Sequence, residues 1–388
     1  MPGVLDAVPV VGQRGSMSDR LPRVVIDLEK LRHINCGLGR FAFHLAHELV
    51  AVSAGRFRPV LFLPAGSERH LPAGGFDRLE VAFWKKEGLT RLLRPVVRPF
   101  LPPADVALWH VTNQTSKYLP LDPRVPVVLT IHDLSFLHEA PRDGRDREIT
   151  RKLAAIRRKV ERATAIVTDS QWVAADVRRH VPLGGRPVHV VPLGIGPPPP
   201  AAAARPAFVP PGPFLLTVGN SLPHKNFHVL LDLVERLPDA RLVIAGKKAT
   251  PYGEFLDREV ARRRLGDRVV LPGEVSDGDR QWLYEHCEGF LFPSLTEGFG
   301  LPVLEAMQCG RPVFLSRGTS LPEVAGSHGF YFDSYAPEAM AAVIRQGLER
   351  FRADGAAGDH LRRHAAGFSW QATAAGYARV YEQVLGRA

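Results

Sequence analysis

Short apolar runs alternate along this chain with longer stretches in which apolar residues recur every three or four positions. The runs at 23–28, 60–63, 79–83, 106–110, 125–131, 165–168 and 188–191 are short and rich in Val, Ile and Leu, and they read as buried strands. Phe41 to Val50 carries the spacing of one helical face, and similar helical patterns lie between several of the other runs. After Gly194-Ile195-Gly196 come four prolines, four alanines and further prolines through Pro213, a composition that reads as a linker, stiff where proline dominates. The alternation then restarts, with strand-like runs at 214–218, 241–245, 269–271, 289–292 and 313–316. Alternating strands and helices imply parallel sheets covered on both faces. The pattern predicts an α/β chain of two doubly wound, Rossmann-like domains. They span 22–196 and 214–370, joined by a linker over 197–213, with a loose tail over 1–21 and a terminal helix over 371–388.

Length agrees with this division, because 388 residues exceed what one hydrophobic core usually serves. With 45% hydrophobic and 23% charged residues the composition is that of an ordinary soluble protein, and no apolar run reaches the ~18 residues of a membrane span. Asp6 interrupts the only apolar stretch of the tail, which argues against a signal peptide, and Met17 is an alternative start. Cys36, Cys287 and Cys309 are scattered without disulfide or metal-ligand spacing, as suits a reducing cytoplasm. The net charge of +10 changes the picture more. Lys85, Lys86, Arg91, Arg94 and Arg98 are interleaved with Leu89, Leu92, Leu93, Val96, Val97 and Phe100, a pattern that suits the surface of an anionic membrane. A second basic cluster, Arg151 to Arg162, reads as a solvated helix face. No helix-turn-helix, zinc-finger or RNA-binding signature accompanies the charge, so nucleic acid is not expected as a partner.

The chemistry concentrates after the run 289–292. Pro293 ends that strand, Glu297-Gly298-Phe299-Gly300-Leu301 makes a turn, and Pro302, Val303, Leu304 and Met307 start a helix. The N–H groups of Gly298, Phe299, Gly300 and Leu301 therefore converge at a helix N-terminus, a natural seat for phosphate. Glu297 precedes the seat, and Glu305 lies four residues past Leu301, about 6 Å further along the axis at roughly 1.5 Å per residue. Carboxylates accept hydrogen bonds from vicinal hydroxyls, so a pyrophosphate between these two suggests a sugar at one end and a ribose at the other.

This segment resembles the E-x7-E motif of retaining family 4 glycosyltransferases, which have the GT-B fold of two Rossmann-like domains facing a cleft. The resemblance extends over nearly the whole chain from about residue 22. It implies that Glu297 faces the donor sugar and Glu305 the ribose. Gly37 and Gly39, between the first strand and helix, match the family's N-terminal glycine loop. His132, at the carboxyl end of the run 125–131, matches a histidine that meets the donor sugar through its ring or its backbone carbonyl. Asn220, His224 and Lys225 fall in the family's phosphate-clamping loop, where Asn220 and His224 stand at positions that often hold an arginine. Val275 falls where the backbone meets the nucleobase, and 318–323 match a further loop near the sugar. The run 368–385 resembles the tail helix that crosses back to the N-terminal domain. Asp277-Gly278-Asp279 spells the metal signature of the other glycosyltransferase fold, but it precedes a helical pattern and reads as an N-cap region, so neither a metal nor a cofactor is expected. The run from Thr130 to Leu137 and the triplet His224-Lys225-Asn226 look most like bacterial mannosyltransferases of lipopolysaccharide and exopolysaccharide assembly. That likeness implies GDP-mannose as donor, a lipid-linked saccharide as acceptor, and a cytoplasmic enzyme peripheral on the inner membrane through 85–100. The alternatives are a UDP-sugar donor, a sugar-phosphate-forming or epimerising enzyme of the same fold, and a nucleotide-sugar-binding scaffold.

Overall fold

A computed structural model describes residues 21–34, 36–64, 66–71, 74–80, 106–120, 122–138 and 145–386. The tail and the basic segment at 85–100 lie outside the described residues. In the N-terminal half the elements are β1 (Arg23–Asp27), α1 (Gly37–Val52), β2 (Arg58–Leu63), β3 (Asp77–Glu80), β4 (Leu108–Val111), β5 (Val127–Ile131), α2 (Arg145–Arg162), β6 (Ala165–Thr168), α3 (Gln171–His180) and β7 (Val188–Val190). The C-terminal half follows with β8 (Leu215–Val218), α4 (His228–Arg236), β9 (Leu242–Ala245), α5 (Pro251–Arg262), β10 (Val269–Gly273), α6 (Asp277–His286), β11 (Gly289–Phe292) and α7 (Leu301–Gln308). It continues with β12 (Val313–Ser316), α8 (Leu321–Ala325), β13 (Phe330–Phe332), α9 (Pro337–Ala353), α10 (Ala357–Ala366) and α11 (Trp370–Val384).

All strand pairs are parallel, in one sheet of order β3-β2-β1-β4-β5-β6-β7 and another of order β10-β9-β8-β11-β12-β13. These are two doubly wound, Rossmann-like domains, as the alternation of runs predicts. β4, β5, β6 and β11 are buried at every residue. A parallel strand covered on both faces cannot alternate in polarity, which is why these runs are almost continuously apolar. In both sheets the order reverses beside the first strand, at β1 and at β8, and loops at the carboxyl ends there form the crevice where ligands of such sheets sit.

The chain passes between the domains at Ile195, which bridges Ser369 and donates its N–H to Phe368 O at 3.0 Å. At Gly194 a Cβ would lie 2.0 Å from the Trp370 nitrogen, so only glycine lets the two passing segments touch. α11 packs on α1 and on the turn that follows it, where Phe41 and Tyr377, and Phe57 and Tyr381, bring their rings within 6.1 and 5.5 Å. Both tyrosines are fully buried, worth about 1.5–3 kcal/mol each. Their hydroxyls are satisfied inside the N-terminal sheet, by Thr130 Oγ1 at 3.0 Å and His110 Nδ1 at 2.7 Å. A buried hydroxyl without such a partner would cancel much of that gain. The second basic cluster lies on α2, with Arg151, Arg157 and Arg158 exposed. Among the described residues no helix is long and apolar enough to cross a membrane.

Candidate active site

The loop after β11 is built from residues that cannot continue either neighbouring element. Ser294 and Thr296 are buried, and Gly300 turns the chain into α7 at φ 113°, a conformation that disfavours any side chain. Pro302 occupies the first turn of α7, where its missing N–H is not needed. The carbonyls of Glu297 and Phe299 share the single Ser320 hydroxyl proton, each 2.9 Å from its Oγ. The N–H groups of Gly298, Phe299 and Gly300 donate to no other described residue. Free N–H groups at a helix start form a seat for an anion.

Two carboxylates flank this seat, each with a partner from another element. Glu297 Oε1 accepts from Lys225 Nζ at 2.6 Å, with the two side chains only 11% and 14% exposed. Lys225 closes a short turn after β8, and Asn226 behind it takes the left-handed conformation at φ 57° that asparagine tolerates. The ammonium also sits 4.9 Å over the Phe292 ring. Glu305 Oε2 accepts from Tyr284 OH at 2.7 Å, and its Oε1 lies 3.9 Å from the Arg40 guanidinium. Burial, and then the Glu305 charge, hold the Tyr284 phenol well above its ordinary pKa, so it remains a donor.

The N-terminal domain contributes the opposite wall. His132 follows β5 and is 6% exposed. Its Nδ1 faces Asp169 Oδ2 at 2.7 Å and its Nε2 faces the Thr112 carbonyl at 2.9 Å. Burial pushes the imidazole pKa down, but the Asp169 charge and bond together with the Thr112 carbonyl outweigh it, and the net shift is upward. With both ring nitrogens engaged, His132 meets the Glu297 loop through its carbonyl. A Cβ on Gly298 would lie 2.1 Å from that oxygen. Ser170, after β6, donates its hydroxyl to Gly298 O at 2.8 Å. Glu323, at the start of α8, accepts from the Gln171 and Trp172 N–H groups, each at 2.7 Å, and so caps α3 of the other domain.

The remaining sequence candidates are distributed around this centre. Gly37 opens α1 with open space where a side chain would stand. Gly39 serves packing, since a Cβ there would meet His33 O at 2.1 Å. The next residue, Arg40, reaches Asp277 Oδ1 at 2.7 Å. Asn220 is exposed and half-buried His224 accepts the Leu295 N–H through its carbonyl at 2.7 Å. Val275 is half-buried against the core, as is Leu301, while Phe299 is 5% exposed. Asp277 and Asp279 form the first turn of α6, where Ser276 Oγ accepts from the Asp279 N–H at 3.0 Å. Tyr284, Asp169 and Ser170 join the site without belonging to any motif of the sequence. Of these only Ser170 left a local signal, a serine one residue before a helical pattern.

Comparison with known proteins follows the same division. Residues 36–197 match the family described as Glycosyltransferase Family 4, and residues 202–353 the family described as Glycosyl transferases group 1. O-antigen chain mannosyltransferase B of Escherichia coli is 38% identical over 141 residues, 35% of this chain and 37% of that protein. The MMP alpha-(1->4)-mannosyltransferase of Mycolicibacterium hassiacum is 31% identical over 232 residues, 57% of this chain and 54% of that protein. The matches thus span about a third and about half of these curated relatives. Among solved structures, sucrose-phosphate synthase from Thermosynechococcus elongatus superposes with a TM-score of 0.72 at 19% identity, covering 95% of this chain and 100% of that one, a likeness of fold.

Proposed function

We propose, for a chain that belongs to the family 4 glycosyltransferases, that it moves mannose from GDP-mannose onto a lipid-linked saccharide of cell-surface polysaccharide or lipopolysaccharide, with retention at the transferred carbon. The observation that carries the reading is the Lys225–Glu297 pair beside the free N–H groups of Gly298, Phe299 and Gly300, with Glu305 further along α7. In this reading the donor diphosphate rests on those N–H groups and on Lys225. Glu297 takes hydroxyls of the donor sugar, and Glu305, steadied by Tyr284, takes the ribose hydroxyls. Charge that grows on the leaving phosphate meets fixed positive dipoles and the lysine, where such donors act most strongly. A lysine and a helix start supply this stabilisation, so the reading needs no metal.

Retention without a placed carboxylate nucleophile fits attack from the face the leaving group departs. The leaving phosphate oxygen then takes the acceptor hydroxyl proton. The new glycosidic bond forms as the anomeric carbon–oxygen bond to phosphate breaks. The His132–Asp169 pair lies behind this centre and holds the His132 carbonyl on Gly298. Mannose is supported by the resemblance of the 130–137 run and by the names of the two curated relatives. The lipid-linked acceptor and peripheral membrane attachment are supported by the basic, apolar sequence of 85–100.

A thermal-shift screen with GDP-mannose, UDP-glucose and ADP-glucose tests the donor. A ligand that binds only the folded state raises the melting temperature. A rise with GDP-mannose alone is expected; a rise with UDP-glucose alone overturns the donor assignment, and no rise with any of them overturns the site. Reversing Arg91, Arg94 and Arg98 to glutamate should release the protein from anionic liposomes, and retained binding refutes the membrane role.

A further inference from the structure

The three carbonyls of the seat loop are held from two different domains. Ser320 Oγ, fully buried in the C-terminal domain, lies 2.9 Å from both Glu297 O and Phe299 O and shares its one proton between them. The carbonyl between them, Gly298 O, is bound by Ser170 Oγ of the N-terminal domain at 2.8 Å. A trans peptide is planar, with its C=O and N–H pointing in opposite directions. Holding the carbonyls of residues 297, 298 and 299 therefore fixes the N–H directions of Gly298, Phe299 and Gly300. Two of those N–H groups are aimed by the domain that owns the loop. The middle one, on Phe299, is aimed from across the cleft.

We infer that Ser170 is a positioning residue for transfer, completing the donor-phosphate seat only when the domains are closed. The inference rests on the reading of 298–300 as that seat. The surroundings are arranged for the contact. Ser170 is 2% exposed, and its hydroxyl is fully used, donating to Gly298 O and accepting the Val173 N–H at 3.2 Å as the cap of α3. Glu323 binds the next two N–H groups of α3, so the C-terminal domain itself holds the helix whose cap reaches its loop. Gly298 has no side chain to keep the His132 carbonyl away, which leaves the approach open. Opening the domains removes Ser170 and frees the 298–299 peptide plane to rotate. Donor bound in the open form then lacks one aimed N–H at the leaving phosphate.

The test separates positioning from capping. Ser170→Asp keeps a cap, because a carboxylate accepts the Val173 N–H, but it sets an acceptor against the Gly298 carbonyl. Ser170→Ala loses both bonds, and Ser170→Thr keeps both. With nucleotide sugar and acceptor, Ser170→Asp and Ser170→Ala should lower kcat roughly tenfold or more, with KM for the donor changed far less, since a misaimed donor is felt most as charge develops. Ser170→Thr should restore most of the rate. A Ser170→Asp enzyme that turns over like the wild type shows the serine to be a helix cap and overturns the inference. Should Ser170→Asp not fold, Ser170→Ala decides alone: a lowered kcat in protein that stays folded, with nucleoside diphosphate bound more weakly, supports the inference, and an unchanged kcat, or a lowered kcat with nucleoside diphosphate bound as tightly as by the wild type, overturns it. Wild-type protein that binds no nucleotide sugar would instead overturn the assignment of the seat.

Discussion

Removing either partner of the Lys225–Glu297 pair should act in opposite directions on nucleotide binding. Each neutralises the other at 2.6 Å, and in the proposed reading donor binding separates them so that the lysine can face phosphate. The pair is mostly buried, at 14% and 11% exposure. Its coupling should lie between the 0.2–1 kcal/mol of exposed pairs and the roughly 3–5 kcal/mol lost on breaking buried ones, so about 1–2 kcal/mol. Glu297→Gln removes the competitor for Lys225. Free GDP, which has no sugar for Glu297 to hold, should then bind roughly five- to thirtyfold more tightly at about 1.4 kcal/mol per tenfold. Lys225→Met should weaken GDP by at least that factor and leave Glu297 as an uncompensated charge. Both variants should lose transfer by about 10²-fold or more. Titration calorimetry with GDP on the wild type and the two single variants, with turnover measured in parallel, checks each arm. If Glu297→Gln weakens GDP tenfold, the carboxylate contacts the nucleotide itself and the exchange of partners at Lys225 is refuted.

Three further outcomes follow from the same geometry. Tyr284→Phe deprives Glu305 of its 2.7 Å donor, and should raise KM for the donor about three- to tenfold with little change in kcat; an unchanged KM would show that Tyr284 does not steady Glu305 for donor binding. Gly298→Ala places a Cβ 2.1 Å from His132 O between the domains, outside either core. It should cost about 10²-fold in turnover while the melting temperature moves little, and near-normal turnover would show that closure does not need this contact. Asp27, buried beside Ser116, has its pKa raised from 3.8 to about 7 by burial, against the hydrogen bonds from Ser116 and the Glu29 N–H that lower it. Between those values the folded state holds a proton that the unfolded state has lost, so the stability Asp27 contributes is complete below pH 3.8 and is lost as pH rises through about 7. Asp27→Asn does not titrate. Its gain over the wild type should be absent near pH 4 and reach on the order of 4 kcal/mol at pH 8. A pH-independent difference in denaturant unfolding would refute the burial argument.

What could be read from the chain alone divides along a physical line. Features written in consecutive residues were legible: the apolar strands, the turn into α7, Glu297 and Glu305 on either side of it, and the aspartates at the start of α6. Strand limits shift by a few residues, as at β3, which begins at Asp77 where the apolar pattern begins at Leu79. The three residues of β13, Phe330–Phe332, are too few to show any period, and they pair only because β12 lies alongside. The polar partners that complete the site carried almost no signal. Ser170 and Gly298 are 128 positions apart, and Tyr284 and Glu305 are 21 apart on different helices. His132 shows the same limit within one residue. Its place at a strand end was legible, but the direction of its ring was set by Asp169 and by the Thr112 carbonyl, which β4 and β6 bring to it. The ring is therefore turned into the N-terminal domain while the carbonyl meets Gly298. The backbone thus supplies much of the contact surface on both sides of the cleft: a carbonyl at 132, another at 298 and the N–H groups that follow it. Backbone groups carry no residue code, so the sequence marks such a centre only through the glycines that let the two chains approach and the serines that aim it.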